Sequence, residues 1–244
     1  MKFLVVFLLS IFLVSFVPYK DVKLKKKLWK KDLFGYGTYL KKTFLKKISS
    51  EDVKIVFEIG SRDALDALLL SNYHKCHVYA FECNPEAIEI CKYNIADNPN
   101  VTFVPKALWH ETGRIPFFPI VHGGIGHHNI GASSCFKFHP NSSVYKYNSD
   151  GSLRSTECIQ GAITVPAVRL DDWMKENDIE SVDLICMDAQ GAAMNILQGM
   201  GEFLPKTKYI IAELENKVTY DGEKLSEEIL LFLKEKGFTK VEGL

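Results

Sequence analysis

An alternation that begins at Lys54 constrains this 244-residue sequence more than any other feature. Short apolar runs, most ending in carboxylates, alternate with stretches of helical character. KIVFEI (54–59) leads into a helical stretch at Asp63–Ser71, HVYAFE (77–82) into a helix from Asn84 through Asn94, and NVTFVP (100–105) follows. VDLICMD (182–188) precedes a helical stretch at Gln190–Met200, and KYIIAELE (208–215) precedes another at Glu223–Lys236. Runs this short and rich in β-branched residues read as strands. Strands separated by helices pair in parallel, because each crossover returns the chain to the same end of the sheet. Such a sheet is covered on both faces, so its strands are apolar throughout. The chain therefore reads as α/β, with a doubly wound, mostly parallel, Rossmann-like sheet. Asn84-Pro85 suits a helix start: asparagine caps an orphan N–H, and proline's fixed φ fits the first helical position.

Three segments follow from composition: 1–19, 20–50, and a body at 51–244 carrying an insertion at about 107–165. Met1–Val17, MKFLVVFLLSIFLVSFV, is nearly all apolar and stops at Pro18. Its length approaches the roughly 20 residues of a membrane span, and no small-x-small cleavage site is evident. It is expected to be an uncleaved N-terminal anchor helix. The flank KDVKLKKKLWKKD holds seven lysines against two aspartates, which places the body in the cytoplasm by the positive-inside rule. The alternatives are a lumenal or secreted body, or a lysine run lying along an anionic membrane surface.

Within the insertion, ALWHETGRIPFF reads as a hairpin turning at Glu111-Thr112-Gly113, and 119–160 is rich in Gly, Ser, Asn and His. ITVPAVRLDDW then gives a strand and a short helix. GFTKVEGL starts a sixth strand of the main sheet, with no room after it for a further antiparallel closing strand. Thirty acids balance thirty bases, so no basic field points to nucleic acid. The six cysteines form no CxxC pair and read as free thiols.

The turn after the first strand of the body reads FEIGSRDALDA. A dinucleotide loop needs G-x-G-x-x-G so that backbone can approach a pyrophosphate. Here Arg62 and Leu65 stand at the second and third glycine positions, which argues against a nicotinamide or flavin cofactor and an oxidoreductase. S-adenosylmethionine carries no phosphate, so one close approach at Gly60 suffices. Glu58 can sit near its ammonium, with the amides of Gly60 and Ser61 toward the cofactor. Glu82, at the end of the next strand, can accept from ribose hydroxyls.

FEIGSRDALDA, FECNPEAIEICKYN, NIGASSCFKF, VRLDDW, VDLICMDAQGAAMNILQGMGEFL and KYIIAELE, in this order, resemble the FkbM-type methyltransferases from about Val53 to Gly237. The resemblance implies a class I S-adenosylmethionine-dependent fold and O-methylation, frequently of sugar or other hydroxyl groups. It places Glu58, Gly60, Ser61 and Asp63 in the cofactor loop and Glu82, Cys83 and Asn84 at the ribose-and-adenine corner. Lys106 and Ala107 fall after the third strand, and Asp188 and Gln190 at the fourth strand's end. The sequence departs from the family's D-x-Q-G-A-E block at Ala193, where the last acid is absent. That departure keeps a non-catalytic binding module open as an alternative.

An alcohol acceptor has to lose a proton as it is methylated, which calls for a base or a metal. Asp188, after an apolar strand, is the candidate acceptor-side base or orienter. His128, in HGGIGHHN, is a second, since histidine titrates near neutral pH. The histidine spacing matches no common zinc pattern, so no metal site is expected. Asn129, Ser133 and Ser134 are candidates for hydrogen bonds to a hydroxylated small molecule or glycan.

Overall fold

A computed structural model describes residues 3–8, 38–96, 98–122, 130–140, 142 and 159–242. The main sheet holds β1 (Phe3–Leu8), β2 (Ile55–Ile59), β3 (His77–Phe81), β4 (Val101–Val104), β10 (Leu184–Met187), β11 (Tyr209–Leu214) and β12 (Lys240–Glu242). A smaller sheet is built from β5 (Ala107–Trp109), β6 (Gly113–Phe117) and β9 (Ile163–Arg169), and β7 (Ile120–His122) pairs with β8 (Ile159–Gln160). The helices are α1 (Lys42–Leu45), α2 (Leu65–His74), α3 (Pro85–Ile95), α4 (Leu170–Glu176), α5 (Ala193–Gly199) and α6 (Ser226–Glu235).

The strand order in the main sheet is β12-β1-β11-β10-β2-β3-β4, and every pairing is parallel. The order runs outward from β2 in both directions, so the loops after β2 and β10 diverge at the centre. That divergence opens the crevice in which an open α/β sheet binds ligands. Successive residues of each central strand feed opposite faces. Phe57, Ile185, Met187, Ile210 and Ala212 join one core, while Val56, Leu184, Cys186, Tyr209 and Ile211 join the other. On the first face Trp173 of α4 stands edge-on to Phe57 and Phe81, at centroid distances of 5.7 and 4.9 Å. On the second face Ala67 and Leu70 of α2 and Cys91 of α3 cover the strands. Burying a side chain such as Phe57 or Leu70 in this way is worth about 1.5–3 kcal/mol. Asn84 caps α3 as its sequence suggests, its Oδ1 accepting from Glu86 N at 3.1 Å.

Two expectations fail. Phe3–Leu8 is not part of an anchor helix: it forms β1, paired with β11 from Phe3↔Tyr209 to Leu8↔Leu214 and with β12 from Phe3↔Lys240 to Val5↔Glu242. Among the described residues no helix is long and apolar enough to cross a membrane. The single-pass membrane placement, with the body on either side, falls with the anchor helix. The physical reason for the misreading is that a strand inside a parallel sheet and a membrane span are both uninterrupted apolar runs. β1 also takes the place between β11 and β12 that a closing strand would need. The remainder of the segment 1–19, and the basic stretch through 37, lie outside the described residues.

The second failure is the hairpin. β5 and β6 do not pair with each other; β9 lies between them, parallel to β5 and antiparallel to β6. The strand of ITVPAVR brings both of its edges to the two arms, and it buries Val165, Ala167 and Val168 as it does so.

Candidate active site at the carboxyl ends of the strands

Three loops meet where β2, β3 and β10 end. The first leaves β2 through Gly60, whose φ is +81°. A Cβ at Gly60 would lie 1.9 Å from the carbonyl oxygen of Asp188, so glycine is required by the neighbouring β10 loop itself. Arg62 and Ala64 also adopt left-handed backbone, at φ 53° and 56°. Clustered strain of this kind costs about 1–3 kcal/mol per residue and collects at functional sites. The amides of Gly60 and Ser61 do not face outward as expected. Both donate to the carbonyl of Phe81 at 3.0 Å. Asp63 is buried, its Oδ1 accepting from Leu65 N at 3.2 Å at the start of α2.

Glu58 is 2 % exposed and accepts a hydrogen bond from the Ser61 hydroxyl. Burial pushes its carboxyl well above the usual range; the Ser61 bond opposes the shift, and nearby Asp66, Asp63 and Glu82 add to it. Glu82 is only partly exposed and is held by three backbone amides. Its Oε1 accepts from Cys83 N at 2.8 Å and Asn84 N at 2.7 Å, and its Oε2 from Arg62 N at 2.8 Å. A carboxylate has about four acceptor positions, so one on Oε2 is left for a ligand. Burial raises this group too, against the pull of those amides. Asn84 Nδ2 donates to Ser133 Oγ at 3.3 Å, which docks the insertion on this corner.

On the other side Asp188 follows β10, its amide donating to the Ile59 carbonyl at 3.0 Å. Its Oδ1 accepts from Gln190 Nε2 at 2.6 Å. Burial raises its carboxyl, while the Gln190 bond and the Arg62 guanidinium hold it back. Gln190 and Gly191 turn the chain with φ of 46° and 89°. The Gln190 carbonyl is pinned by the Ser134 hydroxyl at 2.6 Å. Two acids at the end of β11 complete this side: burial and the Asp188 charge push Glu213 up to about 9, and burial and Glu223 push Glu215 up to about 8.

The structure thus brings together Glu58, Gly60, Ser61, Asp63, Glu82, Cys83, Asn84, Ser133, Ser134, Asp188 and Gln190. Lys106 lies just beyond β4, partly exposed, and Ala107 is buried as the first residue of β5, in the core of the first face with Phe57 and Trp173. His128 and Asn129 lie outside the described residues. No cluster of His, Cys, Asp and Glu able to hold a metal occurs among the described residues.

Three residues escaped the sequence reading. Arg62 supplies positive charge among the acids. Tyr220, fully buried, sends its hydroxyl to Gln190 Oε1 at 2.7 Å and to the Ala132 carbonyl at 3.2 Å. Glu223 accepts from the amides of Thr219 and Tyr220 through Oε1. Its Oε2 is buried beside Gly191 without a hydrogen-bond partner among the described residues. Tyr220 and Glu223 come from the loop between β11 and α6, about thirty positions beyond Gln190, and no local pattern marks them.

The Methyltransferase FkbM domain model matches residues 58–240. The chain belongs to that family. It is 29 % identical over 170 residues to the 2-O-methyltransferase NoeI of Sinorhizobium fredii, covering 69 % of this chain and 66 % of the relative. It is 22 % identical over 167 residues to the hexuronic acid methyltransferase AglP of Haloferax volcanii, covering 68 % of this chain and 57 % of that protein. The alignments thus span less than two thirds of the length of either curated relative. The matched region begins at Glu58 and includes every loop of the acid-lined site. At Ala193, where the family block carries an acid, the side chain is 3 % exposed and begins α5 in the core. Glu223, from a different element, stands beside the same turn.

Proposed function

We propose that this chain is an S-adenosylmethionine-dependent O-methyltransferase acting on a sugar hydroxyl, in a glycan or glycolipid. In this reading residues 51–244 form the methyltransferase domain, and the insertion at about 107–165 carries the acceptor side. The observation that carries the proposal is the match between the loop chemistry and a cationic, phosphate-free cofactor. The amides of Gly60, Ser61 and Arg62 are already donated to Phe81 and Glu82, so no row of free N–H groups awaits a pyrophosphate. Buried or half-buried carboxyls (Glu58, Asp188, Glu213) line the same end, with Arg62 among them. Carboxyls whose charged form is disfavoured by burial ionise more readily once a cation arrives. The remaining acceptor position on Glu82 suits a ribose hydroxyl, and Cys83 and Asn84 border the same corner.

When bound, S-adenosylmethionine supplies a methyl carbon activated by its sulfonium. The protein's part is to orient the acceptor, exclude water and receive a proton. Asp188 is the group assigned to the proton: its Oδ1 is held by the Gln190 side-chain amide, and the Gln190 backbone N–H also favours the charged carboxylate. A carboxyl raised by burial is a better proton acceptor than an exposed aspartate, provided it is ionised when the acceptor binds. Ser133 and Ser134 stand between the two corners, and Asn129 and His128 belong to the adjoining stretch of the insertion. The names of NoeI and AglP, a 2-O-methyltransferase and a hexuronic acid methyltransferase, support a sugar as acceptor.

The test is a screen with isotope-labelled S-adenosylmethionine against extracted glycans and glycolipids, using the full chain. Label in a saccharide, with S-adenosylhomocysteine formed in equal amount, is the expected result. Donor binding without transfer to any acceptor would instead favour a binding module, the reading that Ala193 motivates. Binding of NADH with none of S-adenosylmethionine would overturn the cofactor assignment.

A further inference from the structure

We propose that Tyr220 is a positioning residue whose hydroxyl fixes the side-chain amide of Gln190 with its NH2 end on Asp188, and ties that arrangement to the insertion through the Ala132 carbonyl. The inference rests on the assignment of Asp188 above. A glutamine amide has one accepting and one donating end, and its orientation is decided by its neighbours. Here the two neighbours are the Asp188 carboxylate, which when ionised can only accept, and the Tyr220 hydroxyl. With the phenol donating to Oε1 at 2.7 Å, the NH2 end must face Asp188, at 2.6 Å. The longer 3.2 Å approach to Ala132 is the weaker branch of the same donor.

Neither end of this chain is free to drift. Tyr220 is fully buried and stacks on Phe138 at 5.4 Å between centroids. Backbone bonds on both sides of it, His139 N to Thr219 O at 2.9 Å and Asp221 N to Lys137 O at 2.8 Å, join its loop to the insertion. At the other end the Gln190 backbone is in a left-handed conformation and held by Ser134. The insertion, through Ala132, Ser134 and Phe138, thereby sets the orientation of an amide that it does not itself contain. Docking of the insertion and readiness of Asp188 become one event.

The consequence is electrostatic. An N–H aimed at a carboxylate favours its charged form; a carbonyl aimed at it favours the protonated form. Asp188 needs the former, because burial already works against its ionisation. The groups that face it are Arg62 from the first loop, Glu213 from β11, Glu215 just after that strand, and Tyr39 from the segment before α1. Arg62 is the cation among them, and the side-chain amide of Gln190, with its backbone N–H, supplies the other positive ends.

Tyr220→Phe removes the donor and leaves the ring. The amide is then free to turn its oxygen toward Asp188. The expected result is a rise of about one pH unit in the Asp188 titration midpoint, read by carboxyl-13C NMR without any cofactor, which is about a tenfold gain in proton affinity. In the transfer assay the acid limb of kcat/KM moves up by a similar amount, while donor affinity is unchanged. An unchanged or lowered midpoint overturns the inference. Absence of transfer in the unaltered protein would sink the functional reading instead, and leaves the NMR result to stand on its own. Should the variant fail to fold, NMR of the unaltered chain decides. Cross-relaxation from the Gln190 NH2 protons to the Tyr220 ring would mean a reversed amide and would overturn the proposal, whereas NH2 protons remote from the ring support it.

Discussion

The two flanks of β2 are built on different terms. On the β3–β4 side, each strand leads through a helix to its immediate neighbour, and the carboxylates at the strand ends are satisfied. Glu82 takes three backbone amides and Glu58 takes a serine hydroxyl. On the β10–β11 side the sheet is completed by a strand from the far N-terminus. There the acids crowd: Asp188 raises the proton affinity of Glu213 and Glu215, Glu215 adds to the effect on Glu213, and Glu223 has a buried oxygen without a partner among the described residues. The first flank is organised before any ligand arrives, as suits a cofactor of fixed shape. The second keeps polar groups in reserve, at a cost in stability, as suits chemistry on an acceptor.

The comparison breaks most severely at β1. Deleting Met1–Leu8 removes a strand hydrogen-bonded on both edges and separates β12 from the sheet. At about 0.5–1.5 kcal/mol per net hydrogen bond, losing a strand paired on both sides takes away much of the roughly 5–15 kcal/mol that holds a domain together. The expected outcome is a thermal midpoint lowered by more than about 10 °C, or failure to accumulate folded protein. An unchanged midpoint would show that β1 is dispensable and that the second flank closes without it.

Next in size is the contrast between two acids. Asp188→Asn keeps the hydrogen bond partner of Gln190 in shape but cannot take a proton, so kcat should fall by about 10²–10⁴, a larger loss than any in donor affinity. Glu82→Gln replaces an acceptor of three amides by a group with a single accepting oxygen. Donor affinity should fall by about 10–100-fold, the equivalent of one or two charged hydrogen bonds, with kcat at saturating donor nearly unchanged. Calorimetric donor binding beside steady-state kinetics separates the two. If both substitutions lowered affinity and left kcat alone, the division of labour between the flanks would be wrong.

The same contrast explains what could be read from the sequence. The first flank is local. Its strand, its loop glycine, the cap at Asn84 and the acid at Glu82 lie within thirty residues, and each announces itself by residue type. The parallel sheet followed from the same alternation. On the second flank Asp188 was visible, because an apolar strand ended there. Tyr220 was not, since a buried tyrosine in a loop has no periodic signature and acquires its role through Gln190. β5 and β6 looked like a hairpin because nothing near them reveals that β9, some fifty residues on, inserts between them. FLVVFL is legible as apolar and reads as part of an anchor helix, because hydropathy alone does not separate a strand inside a parallel sheet from a span. The use of the Gly60 and Ser61 amides was also misjudged. Their partner, the Phe81 carbonyl, belongs to the next strand and becomes an acceptor only when the sheet forms.

The smallest expected effect is also the one that tests the reserve of the second flank without any substrate. An ordinary glutamate in the unfolded chain loses its proton near pH 4.3, whereas Glu213 is pushed up to about 9 and Glu215 to about 8 in the fold. Between these limits the folded state binds more protons than the unfolded one. Stability must therefore fall as pH rises. The contribution is fully present below about pH 4 and is lost as the pH passes through the folded values. Glu58 and Asp188, also raised by burial, act in the same direction. Urea midpoints measured from pH 5 to 9 should decline in the ligand-free protein, and the decline should be shallower in the Glu213→Gln/Glu215→Gln variant. Saturating S-adenosylmethionine should flatten the unaltered protein's curve as well, because a cation among these carboxyls lets them ionise. Binding would then release protons, seen as a dependence of the calorimetric heat on the buffer's ionisation enthalpy. S-adenosylhomocysteine, which lacks the sulfonium charge, should release fewer. Equal slopes in the variant and the unaltered protein would place the held protons elsewhere, and equal proton release by the two ligands would mean that the acids of the second flank do not sense the methyl donor.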